Sequence, residues 1–438
     1  MRFLLSSCCA LLLSVTSVIG SDAFDFVTIN AQVLAENKLH MLNYDRGLQD
    51  SFYTLKRLSE KATRNVTPYS VTSKAQLAPS NNPHDYLSLA RYFWPNNSTA
   101  NGLPYIRRDG HVNPEITTVP DYKIFRTLVR EVQILGLGYY FFENETYALK
   151  GISRLRTWFL DDTTRMNPHL HFASFIKGSS EGRRQGLIDF SVVNDMFDVL
   201  PLLQKSRYWL QSDTDGLQDW FTKYLEWLDT SQHSFEERNS INNHGTYFDV
   251  QYMGIALFLK RTDLALQVAL NASSSRIATQ IALDGSQPHE TARAASWFYS
   301  IFNLNGLFLL SALSSRVGID LFHFQTADGR SIRKAVDYLL PYARNPQTWP
   351  FANIDGFNST VLYAKVLQSA FLVYQNPEYL KASNELLNNY HTNHNLTRLL
   401  QPLKMFAEID NSTGRSITSS WQFNFFALIW LFFMVVNL

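Results

Sequence analysis

Cysteine is almost missing from this chain. Its 438 residues hold two, Cys8 and Cys9, side by side near the N-terminus. Both fall in an apolar stretch, Phe3 to Ile19, that follows Arg2 and leads to the small residues Val18 and Gly20. A positive start, an apolar run and a small-residue exit describe a secretory signal peptide over residues 1–20. The mature chain expected from that cleavage has no cysteine. Disulfides, a thiolate nucleophile and a cysteine-ligated metal are thereby excluded. Stability must come from the core, for which about 390 residues suffice.

An excess of one charge is missing too. Lys and Arg number 39 against 38 Asp and Glu, a net charge of +1. No basic run is present, so nucleic-acid binding is not expected. A polyanionic partner would have to meet cations gathered in a cleft. There is no glycine-rich phosphate loop and no low-complexity linker. His169 and His171, in Pro-His-Leu-His, lack a carboxylate–histidine set to complete a metal site. They read as a loop lining a groove, and neither metal nor cofactor is expected.

What is present begins with N-x-Ser/Thr patterns at Asn65, Asn96, Asn97, Asn144, Asn271, Asn358, Asn395 and Asn411. With a signal peptide they predict a glycosylated extracellular protein. Residues 411–438 hold small residues from Asn411 to Gly414, a polar spacer, and an uncharged apolar run from Phe423 to Leu438. That order predicts a GPI-attachment signal. The alternative is a membrane anchor, but the run is shorter than the roughly 20 residues a spanning helix needs.

Between these ends, residues 21–410 read as one all-α domain. Phe125, Leu128, Val129, Val132 and Leu135 fall at helical spacing, as do Ile152, Leu155, Trp158 and Phe159, and Leu217, Trp220, Phe221, Tyr224, Leu225 and Leu228. Further helices are expected at about 191–204, 246–260, 263–270, 292–314, 332–343, 360–374 and 378–389. A single bundle of this length strains the size limit of one core, which a ring of stacked helical hairpins relieves. Polar, aromatic-rich segments at 92–115, 161–189, 239–251 and 284–300 punctuate the helices and carry Trp, Tyr, Arg, His and Asn. Long loops of that composition are usually functional.

Two of these segments hold the chemistry. Asn242-Asn243-His244-Gly245-Thr246 precedes an apolar helix and supplies an N-cap, whose helix field favours an anion. Pro288-His289-Glu290-Thr291-Ala292-Arg293 leads to Ser296 and Tyr299. If that stretch is helical, Glu290 and Arg293 can pair and Arg293 lies about two turns from Tyr299. Taken singly, these are also what plain capping and an ordinary surface pair would look like. Arg107, Arg108, Arg183 and Arg184 are either solvated charges or carboxylate clamps.

Five blocks, YFWPNNSTANGLPYIRRDGHVNPE, TRMNPHLHFA, GRRQGLID, NNHGTYFDVQ and DGSQPHETARAASWFYSIFNL, resemble in order the motif blocks of the alginate-lyase superfamily, over residues 85–375. The resemblance implies an (α/α) toroid, an incomplete barrel of helical hairpins, and β-elimination at a uronic acid. It implies catalytic roles for Asn243, His244, Arg293 and Tyr299. It implies substrate contacts from Arg107, Arg108, His171, Arg183, Arg184, Gln185, Tyr247, Gln287 and Glu290. Tyr247-Phe248 stands where the family has Trp-Tyr, and His289 where it has an aliphatic residue, departures that bear on subsites.

Elimination requires removal of the proton at C5, α to a carboxylate, with donors to hold the enolate-like charge. Asn243, Arg293 and His244 are the expected donors. Tyr299 is the expected base and acid, its phenol pulled down by neighbouring cations. One tyrosine serves both roles where the C5 proton and O4 share a side, as in mannuronate and glucuronate. In guluronate they are opposed, and His244 would be the base. A glycoside hydrolase on the same fold would need two carboxylates from Asp249, Asp284 and Glu290. A carbohydrate-binding surface protein without activity is the other alternative. The expected partner is an acidic polysaccharide met by a monomer at the cell surface.

Overall fold

The computed structural model describes residues 26–43, 47–389 and 399–400. The predicted signal peptide and C-terminal attachment signal lie outside the described residues, as do the sequons at Asn395 and Asn411.

The described residues are 60% helical, and the helices pair in hairpins as an (α/α) toroid. Two helices, Ala31–Leu42 and Gln49–Arg64, precede the first one expected from the sequence. The second packs on Asp121–Phe142, which packs in turn on Glu145–Leu155. Gln211–Thr230, Asn243–Phe258 and Thr262–Ala272 follow. Ser296–Ser315, Ile332–Arg344, Thr360–Tyr374 and Pro377–Asn389 complete the series.

Two helices are apolar on every side and therefore central. Asn243–Phe258 is buried almost without interruption to Ala256, and Ser296–Ser315 buries eighteen of its twenty residues. The latter is long and apolar enough to cross a membrane, but its burial inside the protein marks it as a core helix. The two meet at Gly306, where a Cβ would come within 2.9 Å of Thr246 Cγ2 and 3.0 Å of Tyr247 Cε2. Glycine there lets the two helices approach closely.

One expected helix is broken and another starts late, and both departures shape the groove. Residues 191–204 form two single turns, Asn194–Phe197 and Leu200–Leu203, after a 3-10 segment Arg184–Phe190. Pro201 has no N–H to bond to the Phe197 carbonyl and its ring crowds that carbonyl, and the run parts between Phe197 and Leu200. The helix expected at 292–314 starts only at Ser296 and runs to Ser315, and residues 292–295 part it from a single turn, Pro288–Thr291. Between them Ala295 bridges to Asn353, and Ala294 accepts a hydrogen bond from the Ile354 N–H at 3.0 Å.

The aromatic-rich loops are tied by two short strand pairs with no period-two signature. Leu87–Leu89 runs parallel to Phe172–Phe175, and Phe93–Trp94 antiparallel to Ile106–Arg107. The Tyr105 N–H donates to the Lys177 carbonyl at 3.1 Å, which sets segments 92–115 and 161–189 side by side.

A buried ion pair locks the start of the Asn243 helix. Arg276 grips Asp249 through Nε–Oδ2 at 2.7 Å and NH2–Oδ1 at 3.1 Å. It also donates to the carbonyls of Arg238, at 2.7 Å, and Ser240, at 3.1 Å. Any side chain at Gly245 would run into that Ser240 carbonyl. Removing one partner of such a pair strands a buried charge, which costs about 3–5 kcal/mol. Arg276→Met is therefore expected to lower unfolding stability by about that amount in urea titration. A loss below about 1 kcal/mol would show that the clamp does not hold this helix.

Candidate active site

A cavity of about 450 Å³ opens where the tied loops meet the starts of the two central helices. Asn243, His244, Arg293 and Tyr299 all line it, together with Arg107, Arg183, Arg184 and Gln185. Arg91, Arg126, Tyr92 and Asp189, which sequence reasoning did not single out, line it as well. Six arginines face this space against one carboxylate, Asp189, which is itself buried and accepts from Ser88 Oγ at 2.6 Å and Tyr86 Oη at 3.0 Å. A cavity so charged favours an anion.

Each of the four candidates is held by a neighbour. Asn242 caps the helix by accepting from the His244 N–H at 3.2 Å. Asn243 donates its backbone N–H to Glu290 Oε1 at 2.6 Å and Nδ2 to Glu290 Oε2 at 2.7 Å. Burial raises the Glu290 carboxyl to about 7, even though both Asn243 donors favour its ionised form. His244 Nδ1 stands 2.5 Å from Oε1 of Glu237, a buried carboxylate. A carboxylate only accepts, so the imidazole hydrogen belongs on Nδ1 and the lone pair on Nε2. The other Glu237 oxygen meets Arg184 NH1 at 3.2 Å.

Arg293 does not pair with Glu290 as the sequence spacing predicted. The break at residues 292–295 turns it toward Asp109, which it grips through Nε–Oδ2 at 3.0 Å and NH2–Oδ1 at 2.8 Å. Burial alone would raise Asp109, but the guanidinium outweighs it and holds the carboxyl at about 2. The same break brings Arg293 Cζ to 3.8 Å from the centre of the Tyr299 ring.

Tyr299 opens the following helix, and its hydroxyl lies 2.6 Å from that of Tyr92. The expectation that cations pull its phenol down needs correction. Burial pushes it well above the usual tyrosine range and the Tyr92 phenol adds to this, while Arg293 acts in the opposite direction. At rest Tyr299 is a neutral phenol.

Five expected substrate contacts lie elsewhere. Tyr247 is fully buried behind the wall, stacked on Phe302 at 4.2 Å and donating to the Phe302 carbonyl at 3.0 Å. Gln287 is buried too, donating to the Ser300 carbonyl and accepting from Asn303, each at 2.8 Å. Glu290 supports Asn243 from behind. Arg108 is exposed, its guanidinium 5.5 Å from the Trp94 ring centre. His171 is exposed beside His233, ring centres 5.8 Å apart, and outside the cavity lining; His169 instead meets Asp85 at 3.1 Å. The carboxylate pair that hydrolysis would need is not at the cavity: Asp249 is spent on Arg276, and Asp284 accepts from the Ser286 N–H at 2.9 Å.

A family model for alginate lyase matches residues 70–349, a span that includes every cavity-lining residue. No curated protein matches the chain. An alginate lyase from Bacteroides ovatus, solved as a crystal structure, superposes with a TM-score of 0.81 at 34% identity, over 85% of this chain and 97% of that one. A variant of alginate lyase A1-III complexed with tetrasaccharide superposes with a TM-score of 0.52 at 16% identity, over 82% of this chain and 93% of that one, a likeness of fold alone. The family match covers more than half of the sequence and every wall of the cavity, and on that ground the chain belongs to the alginate lyase family.

Proposed function

We propose that this polysaccharide lyase cleaves a uronate polymer of the polymannuronate or glucuronan type by β-elimination, with Tyr299 moving the protons. The observation that carries the reading is the Tyr299 phenol, its hydroxyl on Tyr92 and its ring against Arg293, in a cavity lined by six arginines. The uronate carboxylate would lie against Asn243, His244 and Arg293. Each preorganised donor contributes on the order of 3 kcal/mol where water is excluded. Tyr299 takes the C5 proton as phenolate, the C4–O4 bond breaks as C4=C5 forms, and the phenol returns a proton to O4. Because burial favours the neutral phenol, the phenolate is the minor form. Arg293 over the ring reduces the cost of forming it. The rate constant kcat is therefore expected to rise with pH.

One observation favours a second route. His244, backed by Glu237, has the tautomer of a base, and a neutral Tyr299 is the right acid for O4. That division of labour suits guluronate, where the proton and leaving group are opposed.

Tyr299→Phe should remove turnover by at least about 100-fold while sparing fold and substrate binding. A variant keeping more than about a tenth of the activity would end the assignment. Initial rates on block-pure polymers, read as unsaturated ends, separate the two routes. Polymannuronate or glucuronan should be cut faster than polyguluronate, and Glu237→Gln should lower the polyguluronate rate most. Faster cleavage of polyguluronate than of both others would make His244 the base.

The signal peptide and tail support a further part of the proposal, a glycosylated enzyme lipid-anchored outside the cell. Phosphatidylinositol-specific phospholipase should release it from membranes. Release by detergent alone would make the tail a spanning segment.

A further inference from the structure

The Asn243 amide has two unlike ends, and the protein engages one of them. Nδ2 donates to Glu290 Oε2 at 2.7 Å, while the backbone N–H occupies Glu290 Oε1 at 2.6 Å. Oδ1 is buried and has no partner among the described residues, although Asn243 lines the cavity. In this state a substrate carboxylate would meet an acceptor where it needs a donor.

A proton on Glu290 reverses the arrangement. The neutral carboxyl keeps Oε1 as acceptor for the backbone N–H and gains an O–H at Oε2. If the amide turns over, Oδ1 accepts from that O–H, and Nδ2 takes the place of the unpartnered oxygen. The two ends of an amide are nearly equal in size, so the exchange needs no extra room. We infer that Glu290 is a positioning residue: by carrying a proton it turns the amide donor of Asn243 toward the substrate carboxylate. This rests on the reading of the cavity as the lyase site.

The surroundings of Glu290 fit the role. It is 1% exposed, and burial sets its carboxyl at about 7, where both forms are accessible. The charged and titratable groups that face it are Arg293 on its own segment, and His244 and Tyr247 on the Asn243 helix. Arg293 is occupied by Asp109 and His244 by Glu237, so neither forms an ion pair with Glu290 that would fix it as an anion. By linkage, a substrate that prefers the turned amide also holds the proton on Glu290.

Glu290→Gln tests this directly. Its Oε1 can accept the backbone N–H and its Nε2 can donate to Asn243 Oδ1, which reproduces protonated glutamate at every pH. Separately from the rise in kcat that Tyr299 gives, KM of the wild-type enzyme should rise about tenfold per pH unit above a midpoint near 7. Glu290→Gln should stay active and lose that rise. A folded but inactive Glu290→Gln overturns the inference, and so does one that keeps the alkaline rise in KM. Should the variant not fold, the wild-type protein still decides the matter by NMR with heavy-nitrogen-labelled asparagine. The side-chain amide of Asn243 should then titrate with a midpoint near 7, and a signal unchanged by pH overturns the inference. If no polyuronate yields unsaturated ends at any pH, the lyase reading falls instead, while the Asn243 titration still judges the switch.

Discussion

The contact on which the site depends is the double hydrogen bond between Asn243 and Glu290. A helix start leaves backbone N–H groups without partners, and here a carboxylate from another segment takes one of them. The positive end of the helix field favours that carboxylate. The join ties Asn243–Phe258 to the turn before Ser296–Ser315, so the residues that open the two central helices face one cavity. Glu237 does the same for His244, and Arg276 closes the loop between them. Asn243 and His244 are thus each tethered to a buried carboxylate before any ligand arrives, and the Asn243 amide alone is left to turn.

The electrostatics follow from the same economy of placement. The chain is almost neutral, yet six arginines converge on one space. Their mutual repulsion is visible at Arg183, where burial, and then Arg107 and Arg184, bring the guanidinium down to about 10. Stacking on aromatic faces offsets part of this, with Arg183 4.6 Å from the Phe93 ring centre and Arg293 against Tyr299. Such a cavity is held together by the fold against its own charge, and a polyanion relieves that charge.

Most of the helices were legible because their apolar residues recur at helical spacing, as in Phe125 to Leu135. The breaks were not. Pro201 was a signal that could have divided 191–204. By contrast, the turn at 292–295 is set by Asp109, Asn353 and Ile354, far away in sequence. That is why Arg293 was read as a partner of Glu290, when each has another. The four candidates from the motif blocks came together, but their supports did not show. Tyr92 and Asp109 sat inside a block already singled out, whereas Glu237 reaches His244 across a turn that no spacing rule predicts. Tyr247, Gln287 and Glu290 were placed in the groove because they adjoin the chemistry in sequence. Their side chains turn into the core instead, each to a buried hydrogen-bond partner.

The central claim is that this cavity breaks a glycosidic link by elimination, and cleavage in water enriched in heavy oxygen tests it most directly. Elimination takes no oxygen from solvent and leaves one unsaturated uronate for each new reducing end. Mass spectrometry of products from a polyuronate should therefore find unsaturated ends and no heavy oxygen fixed by the cleavage step, once exchange at the reducing end is blocked by rapid reduction. Saturated fragments carrying one heavy oxygen per cut would mean hydrolysis, and would contradict the account.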